Sequence, residues 1–349
     1  MDEQPRSLFP QLKKLDTMTN LTSQDVIEAY NAMVSGEIDA SQAAALLTLL
    51  HVKGETSEEI YGFARAMLDH AVIINPKTEE PCMDTVGTGG DRMNTINIST
   101  ATMFVLAGAG IPIAKHGNRG ITSKSGSADV LTALGIKIDY PPQSVQKCIE
   151  KCNIGYMFAP LYHPSMKHIM PVRKNLPFRT VFNVLGPLTN PARASRLILG
   201  VCRPELVRPM AEVVLKLGAK RALVYCGYVR QADSYMDEIS PFGKTACAEI
   251  TDNGSIEEYE IAPDDFKLSA FALKDIQGDT AEYNSVRILD VLQGKNTGPM
   301  CEMICMNAAA GLYIGGKSPD VVSGFDLARD IVASGKAYTV LENWRAFKE

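Results

Sequence analysis

The stretch Asp84-Thr-Val-Gly-Thr-Gly-Gly-Asp91 places three glycines, Gly87, Gly89 and Gly90, within four positions. Glycine lets a backbone take φ > 0 and come close to a ligand. A tight turn of this kind aims successive N–H groups into one concavity, a nest that binds anions and phosphate above all. Asn97-Ile-Ser-Thr100 follows, at the start of the apolar run Ala101 to Leu106, and reads as a helix N-terminus capped by Asn97. The positive end of that helix also favours phosphate. Two common phosphate loops are excluded. A Walker loop ends in Gly-Lys-Ser/Thr, whereas Gly90 is followed by Asp91 and Arg92. The dinucleotide fingerprint needs a third glycine where Arg92 stands. Taken alone, the stretch reads equally as a turn that merely lets strand and helix pack.

A second donor-rich segment, Lys115-His-Gly-Asn-Arg119 and then Thr122-Ser-Lys-Ser-Gly-Ser-Ala-Asp129, follows the apolar run Ile111 to Ala114. The two segments together predict strand, glycine loop, helix, strand, polar loop, helix. Ligands of open α/β sheets bind where such loops meet at the carboxyl ends of strands. In order and spacing, Gly-Thr-Gly-Gly-Asp, Asn-x-Ser-Thr, Lys-His-Gly-Asn-Arg and Ser-Gly-Ser-Ala-Asp resemble the anthranilate phosphoribosyltransferase family of tryptophan biosynthesis. The resemblance runs over nearly the whole chain. It implies an enzyme that moves the phosphoribosyl group of phosphoribosyl diphosphate onto anthranilate and releases diphosphate. Catalysis would come from positioning and electrostatics, with no covalent residue. The resemblance implies that Gly87, Thr88, Gly89, Gly90, Asp91, Asn97, Ser99, Thr100, Lys115 and Ser127 bind phosphoribosyl diphosphate.

Residues 159–191 form a second informative segment. Helical spacing could bring Met166, Met170 and Arg173 to one side, and a guanidinium among apolar neighbours can clasp a carboxylate bidentately. Without the family, a surface arginine on a solvated helix is the plainer reading. With it, Arg173 matches the arginine that holds the anthranilate carboxylate, and Gly87, His116, Asn118, His163, Met166 and Pro187 join it in the acceptor site. His168 is expected to be structural. Asp237-Glu238-Ile-Ser240 offers hard oxygen ligands that suit Mg²⁺ beside a diphosphate. The resemblance implies two Mg²⁺ ions per active site, with Asp237, Glu238 and Ser99 as ligands.

The chain departs from the family in three places. Cys226 to Met236 replaces a shorter His-Gly-x-x-Gly-Leu lead, and Leu176-Pro177 replaces a glycine turn. Gly120-Ile121-Thr122-Ser123 is similar to the corresponding loop of pyrimidine and nucleotide phosphorylases. A paralogue with another aromatic acceptor, or a pyrimidine nucleoside phosphorylase-type enzyme, is therefore the alternative.

With 349 residues, 46% of them hydrophobic and 21% charged, the chain has room for one large or two modest domains. A net charge of -5 argues against a general nucleic-acid surface. The start, Met1-Asp-Glu-Gln-Pro5, lacks a signal-peptide pattern, and no apolar run approaches a membrane span. A cytoplasmic protein is expected. The eight cysteines contain no Cys-x-x-Cys; the pairs Cys148/Cys152 and Cys301/Cys305 read as helix packing.

The fold expected is α/β: a small all-helical N-terminal domain and a larger domain with a mainly parallel central sheet, of the nucleoside phosphorylase/phosphoribosyltransferase type. Leu8, Leu12 and Leu15, then Val26, Tyr30 and Met33, mark helical faces. A third helix runs from Ser41 to Gly54, and Thr56 with Glu59 forms a capping box for a fourth. Residues 1–72 are assigned to the helical domain, completed by helices from about 160–184; residues 73–159 and 185–349 are assigned to the α/β domain. Strands are expected to end near Met83 and Ala114, over Ile136 to Tyr140, and over Ile154 to Phe158. The apolar faces of the bundle suggest a homodimer.

Overall fold

The computed structural model describes residues 7–120, 124–269 and 272–348. Four helices open the chain: α1 (Phe9–Asp16), α2 (Ser23–Ser35), α3 (Ala40–Lys53) and α4 (Ser57–Asp69). Their ends are written locally. Thr22 and Asp25 form a capping box on α2, which closes at Gly36 with φ 80°. Thr56 and Glu59 form the expected box on α4. Glu59 is fully buried; it also accepts from the Leu21 N–H at 2.9 Å and pairs with Lys53 Nζ at 2.9 Å, tying three helix ends together.

The sheet follows. Its strands are β1 (Met83–Gly87), β2 (Ile113–Gly117), β3 (Ile154–Phe158), β4 (Arg196–Gly200), β5 (Arg221–Val229), β6 (Ser234–Met236), β7 (Thr245–Ile250) and β8 (Ile256–Ile261). They lie in the order β3-β2-β1-β4-β5-β7-β8, with β6 folded back on β5. The first five are parallel, and β7 and β8 add an antiparallel edge. Alternate residues of a strand face opposite ways. Ile198, Leu223 and Tyr225 thus enter a core shared with α5 (Ile98–Gly108) and the helix Pro299–Ile314. Leu197, Leu199, Ala222 and Val224 enter a second core, shared with α1 to α4.

Helices α6 (Ser127–Ala133), α7 (Pro142–Cys152), α8 (Ala159–Tyr162), α9 (Met166–Lys174) and α10 (Phe182–Leu185) lie between β2 and β4 in the chain. Although the sheet intervenes in sequence, α9 packs on α2 and α3, and α10 packs on α4. Tyr30 of α2 reaches Ser165 at 2.9 Å, and Phe63 of α4 meets Phe182 edge-on at 5.7 Å.

Three expectations need correction. Strands β1 and β2 run later than the apolar runs suggested, so Asp84-Thr85 and Lys115-His116 are strand residues. The apolar run marks only how each strand begins; the polar residues continue it because they find partners inside. Ile136 to Tyr140 is not a strand. Ile136 and Ile138 are buried as the alternation implied, but they dock on the helical core with no neighbouring strand to pair with. The 226–236 segment extends β5 and turns at Asp233, φ 43°, into β6, a hairpin that the sequence reading missed. Among the described residues, no helix is long and apolar enough to cross a membrane.

Candidate active site

The glycine loop leaves the carboxyl end of β1. Thr88 N–H bonds the Gly200 carbonyl at 2.9 Å, and Gly89 and Gly90 take φ 67° and 83°. Gly87 is required for a different reason: a Cβ there would lie 2.1 Å from Asp237 Oδ2. The same carboxylate accepts the Gly89 N–H at 2.7 Å. Gly200 repeats the logic, since its Cβ would strike the Asp237 carbonyl at 1.7 Å. The glycines thus let the acidic turn after β6 sit directly against the loop.

Asp91, Asp237 and Glu238 gather here. Burial, reinforced by the Asp91 charge, pushes Asp237 up to about 7. Burial raises Asp91 as well, and holds Glu238 well above the ordinary carboxylate range, with Asp237 and Asp91 adding repulsion. Glu238 is 7% exposed and its Oε2 has no hydrogen-bond partner. Crowded acids with an orphaned oxygen are stabilised by a cation. Among the described residues no group of three or more His, Cys, Asp or Glu side chains forms a metal cage by itself. Mg²⁺ binds through one or two carboxylates and completes its shell with water and substrate phosphate. Asp237 and Glu238 therefore fit the ion.

Lys115 lies inward. Its Nζ donates to the Thr85 carbonyl and stands 3.5 Å from Ser99 Oγ. Burial lowers its pKa against the pull of Asp84 and Glu238. An ammonium has three donors, so one remains for an anion. Thr100 is buried in α5. Asn97 stands at the N-cap position but makes no cap bond, contrary to expectation. Its Nδ2 donates to the Ser125 carbonyl at 3.1 Å, and its Oδ1 accepts from Asn284 at 2.9 Å. The amide spans to other loops because those partners lie within its reach. Ser127 Oγ bonds the Asn118 carbonyl at 3.3 Å and Tyr156 at 2.9 Å.

Of the residues expected at the acceptor, His116 and His163 lie with ring centroids 5.0 Å apart. His116 Nδ1 meets the Gly186 carbonyl at 3.1 Å, which makes Nδ1 the donor and leaves buried Nε2 as a free acceptor. Burial, then the His163 charge, holds His116 down to about 3; burial holds His163 down to about 4, with the Thr189 backbone opposing. Both rings are neutral near pH 7. Pro187, in the turn that carries the Gly186 carbonyl, is buried. Arg173, on α9, stacks over Phe182 at 5.2 Å and has no acidic partner among the described residues. Desolvation lowers its pKa. Met166 packs against the bundle core. Asn118 is exposed, and its Oδ1 accepts the Arg119 N–H at 2.8 Å. Thr122, which carries one departure from the family, lies with Ile121 outside the described residues.

Asp84 opens the glycine stretch and Asn190 lies in the 186–191 loop, but the sequence reading assigned neither side chain a role of its own. Asp84 is fully buried, and burial raises it to about 6. Asn190 Nδ2 bridges Asp84 at 2.7 Å and the Ala114 carbonyl at 2.8 Å, pinning the 186–190 turn to β1 and β2. Asn307 Oδ1 likewise accepts the Ile239 N–H at 2.8 Å beside the acidic pair. A cleft of about 840 Å³ lies in the bundle, lined by α1, α2, His70, Pro164, Ser165, Lys167 and His168. It contains none of the residues above, and His168 lines it rather than the site.

Residues 79–338 match the glycosyl transferase family a/b domain, and residues 11–71 match the helical bundle domain of the same family. An anthranilate phosphoribosyltransferase of Rubrobacter xylanophilus is 47% identical, over 95% of this chain and 95% of its own. The chain belongs to the anthranilate phosphoribosyltransferase family. A second relative of that name, from Petrotoga mobilis, is 44% identical over 96% of this chain and 95% of its own. Among solved members of the family, the Thermus thermophilus enzyme superposes with a TM-score of 0.87 at 39% identity, covering 96% of this chain and 98% of that one. The Saccharomyces cerevisiae enzyme in complex with PRPP and Mg gives 0.87 at 29% identity, covering 97% and 96%.

Proposed function

We propose that the protein transfers the phosphoribosyl group of phosphoribosyl diphosphate to the amine of anthranilate, giving N-(5-phosphoribosyl)anthranilate and diphosphate, as a step of tryptophan biosynthesis. The observation that carries the reading is the glycine loop backed by the crowded Asp91, Asp237 and Glu238, together with a desolvated Arg173 that has no acidic partner among the described residues. One new bond joins the amine nitrogen to the sugar C1, the C1–oxygen bond breaks, and diphosphate leaves with the electron pair. The amine gives up a proton, which leaves to solvent. Residues 87–91 with Ser99, Thr100, Asn97, Lys115 and Ser127 bind and orient the donor. Arg173 holds the carboxylate, and His116 Nε2, fixed as an acceptor by its bond to Gly186, takes a hydrogen bond from the amine. Gly87, Asn118, His163, Met166 and Pro187 complete the acceptor pocket.

Asp237, Glu238 and Ser99 would hold Mg²⁺, two ions per site, which supply positive charge to the diphosphate. We further propose the domain division given above, a cytoplasmic enzyme, and a homodimer through the bundle. The test is product formation from phosphoribosyl diphosphate with anthranilate, with substituted anthranilates and with pyrimidine bases, each with Mg²⁺ and with chelator. Turnover of a base lacking a carboxylate, with none of anthranilate, overturns the assignment.

A further inference from the structure

Arg179 lies on the glycine loop and belongs to no ion pair among the described residues. Its Nη2 donates to the Gly89 carbonyl at 3.2 Å. The guanidinium covers Gly90 so closely that a Cβ there would fall 1.4 Å from Nη1. Gly89 is therefore held from both sides, its N–H by Asp237 and its carbonyl by Arg179. One N–H of the guanidinium makes that bond; the others remain available, in the planar fork that matches phosphate oxygens.

The backbone that carries Arg179 is anchored elsewhere. Phe178 stacks on His51 of α3 at 4.6 Å and 15°, and the Thr180 N–H bonds Asn183 Oδ1 at 2.9 Å. Phe182, on the same strip, supports Arg173. A segment fixed to the bundle thus sends one arginine under the acceptor carboxylate and another onto the donor loop. An exposed arginine bonded to one carbonyl contributes little to folding. A cation beside a phosphate nest contributes to anion binding.

We infer that Arg179 is a positioning residue for the donor: it holds the Gly89–Gly90 turn and presents its charge to the diphosphate, linking the donor loop to the acceptor strip. The inference rests on the donor assignment made above. It is tested with Arg179→Ala, Arg179→Gln and Arg179→Lys. Steady-state kinetics are run varying each substrate, with inorganic diphosphate as product inhibitor, alongside direct titration of phosphoribosyl diphosphate with Mg²⁺. Loss of a charge-assisted contact raises KM for phosphoribosyl diphosphate about 10-fold or more in Arg179→Ala. KM for anthranilate changes less, and the inhibition constant of diphosphate rises in parallel. Arg179→Gln keeps an N–H donor without charge and shows the same weakening toward diphosphate; Arg179→Lys restores part of it. Unaltered melting temperatures separate this from misfolding. Equal donor affinity in wild type and Arg179→Gln overturns the inference. If the wild type binds the donor but ignores anthranilate, the acceptor assignment fails alone, and the titrations still decide the role of Arg179.

Discussion

Replacing Arg173 by alanine separates a substrate-binding arginine from a structural one. The guanidinium is half-buried, its pKa is lowered by desolvation, and Phe182 and the Met170 sulfur, 3.7 Å from Nη1, are its neighbours. It has no carboxylate partner among the described residues. Its removal forfeits a cation–π contact of about 0.5–2 kcal/mol. It also removes the cost of desolvating an unpaired cation, so the net change in folding stability is small. In the complex, the same charge meets the anthranilate carboxylate. A charge-assisted hydrogen bond contributes about 1.5–3 kcal/mol. At about 1.36 kcal/mol per tenfold, that is roughly a 10- to 150-fold fall in kcat/KM for anthranilate. Donor kinetics stay near wild type. Arg173→Lys recovers only part of the loss, because an ammonium lacks the planar fork. The assay is steady-state kinetics with each substrate varied in turn, paired with thermal unfolding. Unchanged anthranilate kinetics, or a loss of kcat/KM that tracks a collapse in melting temperature, refutes the reasoning.

Gly87→Ala puts a methyl carbon 2.1 Å from Asp237 Oδ2, so it should displace the carboxylate and abolish Mg²⁺-dependent transfer while the protein stays folded; circular dichroism and activity measured together check this. Asp237→Asn with Glu238→Gln removes two acids that burial and mutual repulsion hold in raised-pKa states. The double variant should melt no lower than the wild type without metal and yet transfer nothing, and full activity in it would sink the metal assignment. His116 and His163 are held down to about 3 and about 4, below the unfolded value of roughly 6.5. The unfolded chain binds more protons in that window, so their contribution is present above about pH 6.5 and is lost as pH falls. Asp84, raised to about 6, acts in the opposite sense. The comparison is therefore made by difference: His163→Gln should gain melting temperature relative to wild type between pH 7 and pH 5, and a constant difference would count against the buried neutral ring.

Much of the fold is written in short-range pattern. Ile154 to Phe158 is an apolar run bounded by Asn153, whose φ of 62° ends the preceding helix, and it is a strand as expected. Thr56 and Glu59 stand at capping-box spacing, and both bonds form. The glycines at 89 and 90 mark a loop because both take positive φ. These features depend on a residue and its near neighbours, so the sequence by itself determined them. Burial was legible too, even where the element was not: Ile136 and Ile138 face the core, though no strand lies beside them. Partners were not. Arg179 meets Gly89 across 90 residues, Asn190 meets Asp84 across 106, and Asn284 meets Asn97 across 187. Periodicity encodes which face of an element is apolar, but a hydrogen bond has a reach of about 3 Å and a required direction. Which donor arrives at which acceptor depends on the path of every intervening element. The tertiary structure alone therefore turned Asn97 away from its helix cap, set Lys115 inward between two acids, and laid Arg179 across the glycine loop.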